Sequence, residues 1–290
     1  MEVKEVGSDA LDQLYSLWRR TNGRYADKKD EQEFLLRYFE NPSVTSRCYL
    51  LREKGNDLGA VLLESYDWGI YLYDWIEHRR DHVLEELIKQ IDTLTEEKKM
   101  VILAPLFGRS CSTEAWKKVG FEKFEKAPYN ILMKKEIEDD EGREIQVEIE
   151  ALKDPSQENN IEPLAALLTE ISGRWNDPVE MEKYLRWELK GDMDYWLAVM
   201  EGEPIGYCGI ERRRLFSDDI MYWIKEVGVH PDERGKRIAT DLLSHTIEEV
   251  RDDGGKEIYI DTHSENPAKE LYEKLGFQTI EKVPNLRYEL

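Results

Sequence analysis

The spacing of apolar positions changes along the 290 residues between two periods. Leu242, Leu243, Ile247 and Val250 recur every three or four residues, as one face of a helix does, and Leu87, Ile91 and Leu94 repeat the pattern earlier in the chain. Short apolar runs read as strands instead: Asn130–Met133, Ile145–Ile149, Val227–Val229 and Glu257–Asp261. A further helix is expected over Val179–Leu189. Each half of the chain then reads as strand, two helices, a group of strands, a loop-started helix, a strand, a helix and a final strand. This order predicts a mixed α/β fold in which helices cover sheets.

The halves also match in sequence. Ala115–Pro128 aligns with Leu271–Pro284 at an offset of 156, which holds at Gly120 and Gly276, at Phe121 and Phe277, and at both prolines. The same offset relates the two helix faces. Upstream, Gly59 pairs with Gly206 at 147, and Asn22–Tyr25 with Ser172–Trp175 at 150. Matches in order at several sites imply a tandem duplication. The drift implies insertions, the largest of about nine residues expected just after Glu211, in Arg212–Asp219. The acidic, glycine-containing segment Glu136–Gly142 marks the boundary, giving units 1–140 and 141–290.

Composition narrows the function. No run of about 18 apolar residues exists, so nothing is expected to span a membrane. The start Met-Glu-Val-Lys-Glu lacks the basic and apolar parts of a secretion signal. Cys48, Cys111 and Cys208 are too few and scattered for a disulfide framework or a zinc site, so no metal and a reducing cytoplasm are expected. A net charge of −21 argues against nucleic acid or an anionic membrane as partner. It is compatible with a salty cell interior and with attraction of a cationic amine.

Against that charge, one basic loop stands out: Val227-Gly-Val-His-Pro-Asp-Glu-Arg234-Gly235-Lys236-Arg237-Ile238-Ala239-Thr240. A strand enters a proline turn, and the loop opens a helix whose first N–H groups and dipole favour an anion. A bound pyrophosphate is the simplest reading. The loop resembles the acetyl-CoA loop of the GNAT acetyltransferases, Q/R-x-x-G-x-G/A, with Arg234 first and Ala239 last. Arg237 stands where the family has glycine. A helical residue there still offers its N–H; a positive φ would be poorly tolerated by arginine. Asn266-Pro-Ala-Lys-Glu-Leu-Tyr272-Glu-Lys-Leu-Gly276-Phe277 resembles the helix and turn that close the family fold. The resemblance covers roughly residues 145–290. It implies two tandem GNAT-like domains, each a mostly antiparallel sheet flanked by helices.

The resemblance further implies direct acetyl transfer from acetyl-CoA to the amine of a small molecule or peptide. Gly235, Lys236, Arg237, Ile238, Ala239 and Thr240 would hold the cofactor with Arg234, while Val227 and Val229 offer strand-like hydrogen bonds to its pantetheine arm. An alkylammonium has a pKa of about 10.4 and must lose a proton before it can attack. Glu226 and Asp261 are candidate bases, with His263, expected in a loop, a weaker third. Tyr272 matches the family tyrosine that protonates the leaving thiolate. Asn266 reads first as a helix cap, with Pro267 at the first helical position, and its contact with the cofactor is left open. Arg174 and Trp175 lie where the family covers its acceptor.

In the first half the loop corresponds to His78-Arg79-Arg80-Asp81-His82-Val83. It has neither glycine nor alanine and places a carboxylate where phosphate would sit, and Trp116 replaces Tyr272. That half is read as degenerate. Cys208 is expected to be a buried, inert thiol. Arg212, Arg213 and Arg214, with Leu215–Asp219 after them, read as a strand end and hairpin loop, either a solvated turn or a holder of an anionic acceptor. Competing readings are an amino-sugar or thiol-precursor acetyltransferase similar to mycothiol synthase, and a non-catalytic acyl-CoA-binding or regulatory protein. Pairing of the two halves within one chain would favour a monomer.

Overall fold

The computed structural model describes residues 2–21, 45–66, 69–76, 81–94, 100–103, 113–137, 144–172, 177–214 and 219–289. In the first half follow β1 (Glu2–Val6), α1 (Leu11–Thr21), β2 (Thr45–Glu53), β3 (Asn56–Tyr66), β4 (Gly69–Ile76), α2 (Asp81–Leu94), β5 (Met100–Leu103), α3 (Glu114–Lys118), β6 (Glu122–Lys123) and β7 (Tyr129–Glu136). The second half has β8 (Glu148–Leu152), α4 (Glu158–Ser172), α5 (Pro178–Leu189), β9 (Met193–Met200), β10 (Glu203–Arg214) and β11 (Ile220–Val229). It continues with α6 (Ile238–Asp252), β12 (Glu257–His263), α7 (Ala268–Lys274), β13 (Gln278–Pro284) and β14 (Leu286–Glu289).

Two seven-stranded sheets result, ordered β1-β2-β3-β4-β5-β14-β6 and β13-β7-β12-β11-β10-β9-β8. They are antiparallel except at β4–β5 and β11–β12, where α2 and α6 make the crossovers that parallel neighbours require. The halves exchange their last strands. β7 sits between β12 and β13, with Met133 opposite both Ile260 and Thr279, while β14 sits between β5 and β6. The exchange starts from matched turns. Gly120 and Gly276 take φ of +101° and +90°, and the phenylalanine after each is buried in the core of its sheet. Asn285 pins the crossing, donating its backbone N–H to Pro128 at 3.1 Å and its side-chain amide to Ala127 at 3.0 Å.

The second sheet is covered on both faces. Ile210, Ile224, Leu242, Leu243, Ile258 and Ile260 form the core toward α6 and α7. Leu164, Leu168, Leu185, Tyr195 and Leu197 form that toward α4 and α5. The helices expected in the second half form, and Asp177 caps α5 by accepting from the Val179 N–H at 2.9 Å; the second helix expected after β1 in the first half lies outside the described residues. The strand read at Ile145–Ile149 begins at Glu148, because the Gln146 N–H donates to the buried Asp241 carboxylate at 3.1 Å instead of entering a ladder. The extra residues of the second half do not all lie after Glu211. Gly59 faces Ile76, and Gly206 faces Val229, so the offset there is 153, between 147 upstream and 156 downstream. The insertion is therefore split between the β10–β11 hairpin and the loop into α6.

Candidate active site

β11 and β12 pair only through Tyr222–Ile258, Trp223–Tyr259 and Ile224–Ile260, although both strands run on, to Val229 and His263. The divergence starts at a bulge. Gly209 faces Glu226 and Ile210 faces Ile224, which leaves Lys225 as an extra residue on β11. The bulge re-aims the strand, so that Val227 and Val229 pack toward α6. Glu226 points to the opposite face, toward α4 and α5, where Tyr195 of that core reaches it. The His230 N–H donates to Ile205 of β10 at 2.9 Å. Alternation then turns the backbone groups of Val227 and Val229 to the side that β12 has left.

The loop is held by its own side chains. Arg234 Nε donates to the Val229 carbonyl at 3.2 Å, and Lys236 pairs with Glu233 at 2.7 Å. His230 accepts from the Asp232 N–H through Nδ1 at 3.3 Å, and its Nε2 lies 3.2 Å from Glu170 of α4. Gly235 has φ +79° with open space around it. Arg237 caps α6 in the left-handed region, at φ +67° and ψ 5°. The position therefore does demand a positive φ, and arginine adopts it. Ile238 is buried, whereas Ala239 and Thr240 are half-buried in the first turn of the helix.

On the α5 side, four acidic or phenolic groups meet. Tyr195 Oη lies 2.9 Å from Glu226 Oε1 and also hydrogen-bonds Glu188 Oε2, while Tyr184 Oη donates to Glu188 Oε1 at 2.6 Å. Gly209 makes this possible: a Cβ there would stand 2.8 Å from Tyr195 Cε1, so only glycine lets the ring lie across β10 to reach β11. Glu188 is buried, and burial followed by the Glu226 charge pushes its carboxyl up to about 7. Sequence reading passed over Glu188, but the signal existed. Met181, Leu185 and Leu189 form the buried stripe of α5, and Glu188 falls on it.

The other candidates are spread around the divergence. Asp261 accepts the Trp223 indole N–H at 2.9 Å. His263 is the exposed last residue of β12 rather than a loop residue, because its pairing with Asn130 of β7 extends the strand. Tyr272 is buried on α7, edge-on to Phe277. Burial, with the nearby Cys208 and Asp261, holds its phenol well above the usual range, so it stays protonated. Asn266 Oδ1 accepts the Ala268 N–H at 3.0 Å, starting α7 as a cap does, although Pro267 precedes the first helical residue instead of occupying it. Thr262 continues the face of Ile258 and Ile260, and its buried hydroxyl lacks a partner among the described residues.

Arg174 and Trp175 lie outside the described residues. Cys208 is fully buried and pushed up to about 12 by burial, as an inert thiol should be. The arginine run is the end of β10, and its side chains are paired rather than solvated: Arg212 pairs with Asp194 and Asp253, and Arg213 with Glu211. In the first half Val83 and Trp116 are fully buried in the core, so apolar side chains fill the places of Ala239 and Tyr272. Among the described residues, no helix is long and apolar enough to cross a membrane, and no His, Cys, Asp or Glu group is arranged to hold a metal.

The parallel pair β11–β12 thus parts at a bulge, beside a basic loop at the start of the crossover helix. Residues 161–277 match the acetyltransferase (GNAT) family. An acetyltransferase of Pectobacterium atrosepticum is 33% identical over 113 residues, 38% of this chain and 73% of the relative. An uncharacterized N-acetyltransferase of Methanocaldococcus jannaschii is 31% identical over 110 residues, 34% of this chain but only 46% of that protein. A tandem GNAT protein from the clavulanic acid biosynthesis pathway superposes with a TM-score of 0.71 at 12% identity, over 99% of this chain and 98% of that one. A GCN5-related N-acetyltransferase from Sphaerobacter thermophilus gives 0.61 at 18% identity, over 99% and 95%. The chain belongs to the GNAT acetyltransferase family, in its tandem form.

Proposed function

We propose that the second half, residues 141–290, transfers an acetyl group from acetyl-CoA directly to a primary amine of a small molecule or peptide, and that residues 1–140 are a degenerate copy. The observation that carries this reading is the open edge of β11. Backbone at Val227 and Val229 faces a side that no strand fills among the described residues, beside a loop of helix-start N–H groups. Bound acetyl-CoA would supply an activated thioester. Arg234, Gly235, Lys236, Arg237, Ile238, Ala239 and Thr240 would hold its pyrophosphate, with Arg234 also bracing the strand end. Asn266 is committed to starting α7, and the unpartnered Thr262 hydroxyl is a better polar neighbour for the cofactor arm.

Glu226 is the preferred proton acceptor for the acceptor ammonium, because it is half-buried on the part of β11 that β12 has left, whereas Asp261 is exposed. Tyr272, held protonated by burial, would give its proton to the departing thiolate. Arg174 and Trp175 are retained as acceptor contacts. The strongly acidic chain suits a cationic acceptor and a cytoplasmic setting, and the strand exchange within one chain favours a monomer. The test is a thermal melt with and without acetyl-CoA, on the wild type and Arg234→Ala. Ligand at about 100 Kd stabilises by roughly 2.7 kcal/mol. A shift that the variant loses supports the site and leads to amine screening by CoA release. No shift at millimolar acetyl-CoA overturns the reading.

A further inference from the structure

The contacts of Tyr195 pose a problem in proton counting. One phenol carries one proton, yet its oxygen lies within hydrogen-bond distance of two carboxylates, Glu188 and Glu226. It can donate to only one of them. The second contact is a hydrogen bond only if that carboxyl carries a proton and donates it to the Tyr195 oxygen. Two ionised carboxylates facing one hydroxyl would leave an oxygen–oxygen contact with no hydrogen in it. Tyr184 cannot resolve this, because its own proton goes to the other oxygen of Glu188.

The proton has a preferred seat. Glu188 is buried between α5 and β9, whereas Glu226 is half-exposed at the divergence of β11 and β12. Burial penalises charge, so the proton belongs on the more buried carboxyl. The groups that face Glu188 are Tyr184 from its own helix, Tyr195 from β9, and Glu226 and Lys225 from β11. Lys225 is drawn toward Glu211, 3.6 Å away, and does not neutralise the pair.

Resting on the acetyltransferase reading above, we propose that Glu188, Tyr195 and Glu226 share a single carboxyl proton seated on Glu188, and that Glu188 and Tyr195 are positioning residues that hold Glu226 aimed at the acceptor amine. In the step this serves, an N–H bond of the acceptor ammonium breaks and its electron pair stays on nitrogen. The proton forms an O–H bond with Glu226 and returns to solvent after product leaves. Tyr195 donates to Glu226 throughout. It can do so only while Glu188 supplies the hydrogen for its other contact.

Glu188→Gln is the informative variant. A glutamine amide can donate to Tyr195 and accept from Tyr184, so it copies protonated Glu188 and cannot titrate. Infrared difference spectra of the full chain should show a protonated carboxyl at pH 6 in the wild type that disappears as pH rises through neutrality. The band should be absent from Glu188→Gln. With an amine acceptor, Glu188→Gln should keep kcat within about threefold of the wild-type value at pH 6 and lose the neutral-pH transition. Tyr195→Phe should lower kcat by about tenfold or more. Absence of the infrared band at pH 6, or its persistence in Glu188→Gln, overturns the proposal. So does an unaltered pH profile in Glu188→Gln. Failure of the acetyltransferase reading looks different: the infrared band is present while acetyl-CoA neither shifts the melt nor turns over.

Discussion

Arg237 occupies a backbone conformation that L side chains avoid, at φ +67° and ψ 5°, one residue before α6. A non-glycine residue in the left-handed region is strained by about 1–2 kcal/mol. Replacement by glycine relieves that strain but frees the unfolded chain, by about 0.4–1 kcal/mol. The net expectation for Arg237→Gly is a gain of about 1 kcal/mol. Removing a positive charge from a helix start adds a few tenths, and Arg237→Ala shares that gain while keeping the strain. The difference between the glycine and alanine variants therefore isolates the backbone. Urea melts of the three proteins should place Arg237→Gly about 1 kcal/mol above Arg237→Ala, equivalent to roughly 2 °C in Tm. Equal stability of the two variants would refute the argument and show that Arg237 is unstrained. An acetyl-CoA shift kept in Arg237→Gly and weakened in Arg237→Ala would show that the loop needs the turn more than the guanidinium.

Other outcomes follow from named contacts. Gly209→Ala puts a Cβ 2.8 Å from Tyr195 Cε1 and should cost about 1–3 kcal/mol in a urea melt and depress acetyl transfer, since the ring must leave Glu226. Unchanged stability would show that the ring has room. Tyr272→Phe should fold normally and lose about 10²–10⁴-fold in kcat, whereas full activity would remove Tyr272 from the chemistry. Glu188 has its folded-state pKa raised from 4.5 to about 7, so the folded state binds that proton more tightly than the unfolded chain. Its stabilising contribution is complete below about pH 4.5 and is lost as pH rises to about 7, a span of about 3 kcal/mol. Melts at pH 4.5 and 8 should show this loss in the wild type and not in Glu188→Gln; equal losses would count against it. Deleting Leu286–Leu290 should expose the facing edges of β5 and β6 and make the first half, not the second, sensitive to protease.

Periodicity and local chemistry were legible in the sequence because they act over a few residues. The helix faces of α2 and α6, the proline turn and loop before α6, the asparagine that starts α7, and the 156-residue echo at Gly120 and Gly276 are all written in short spacings. So was the loss of loop and tyrosine in the first half. What the sequence alone could not assign depends on residues far apart in the chain. The halves trade β7 and β14 because a strand edge accepts any backbone of suitable register, and no short pattern names its partner. The bulge at Lys225 breaks the alternation from which the direction of Glu226 would be inferred. Arg237 looks like a helical residue until the turn that precedes it is built. Glu188 reads as one more surface acid of a charged helix, until Tyr195 crosses Gly209 from another strand and encloses it with Glu226. Burial and proton affinity are properties of that assembled environment, and only the tertiary structure decides them.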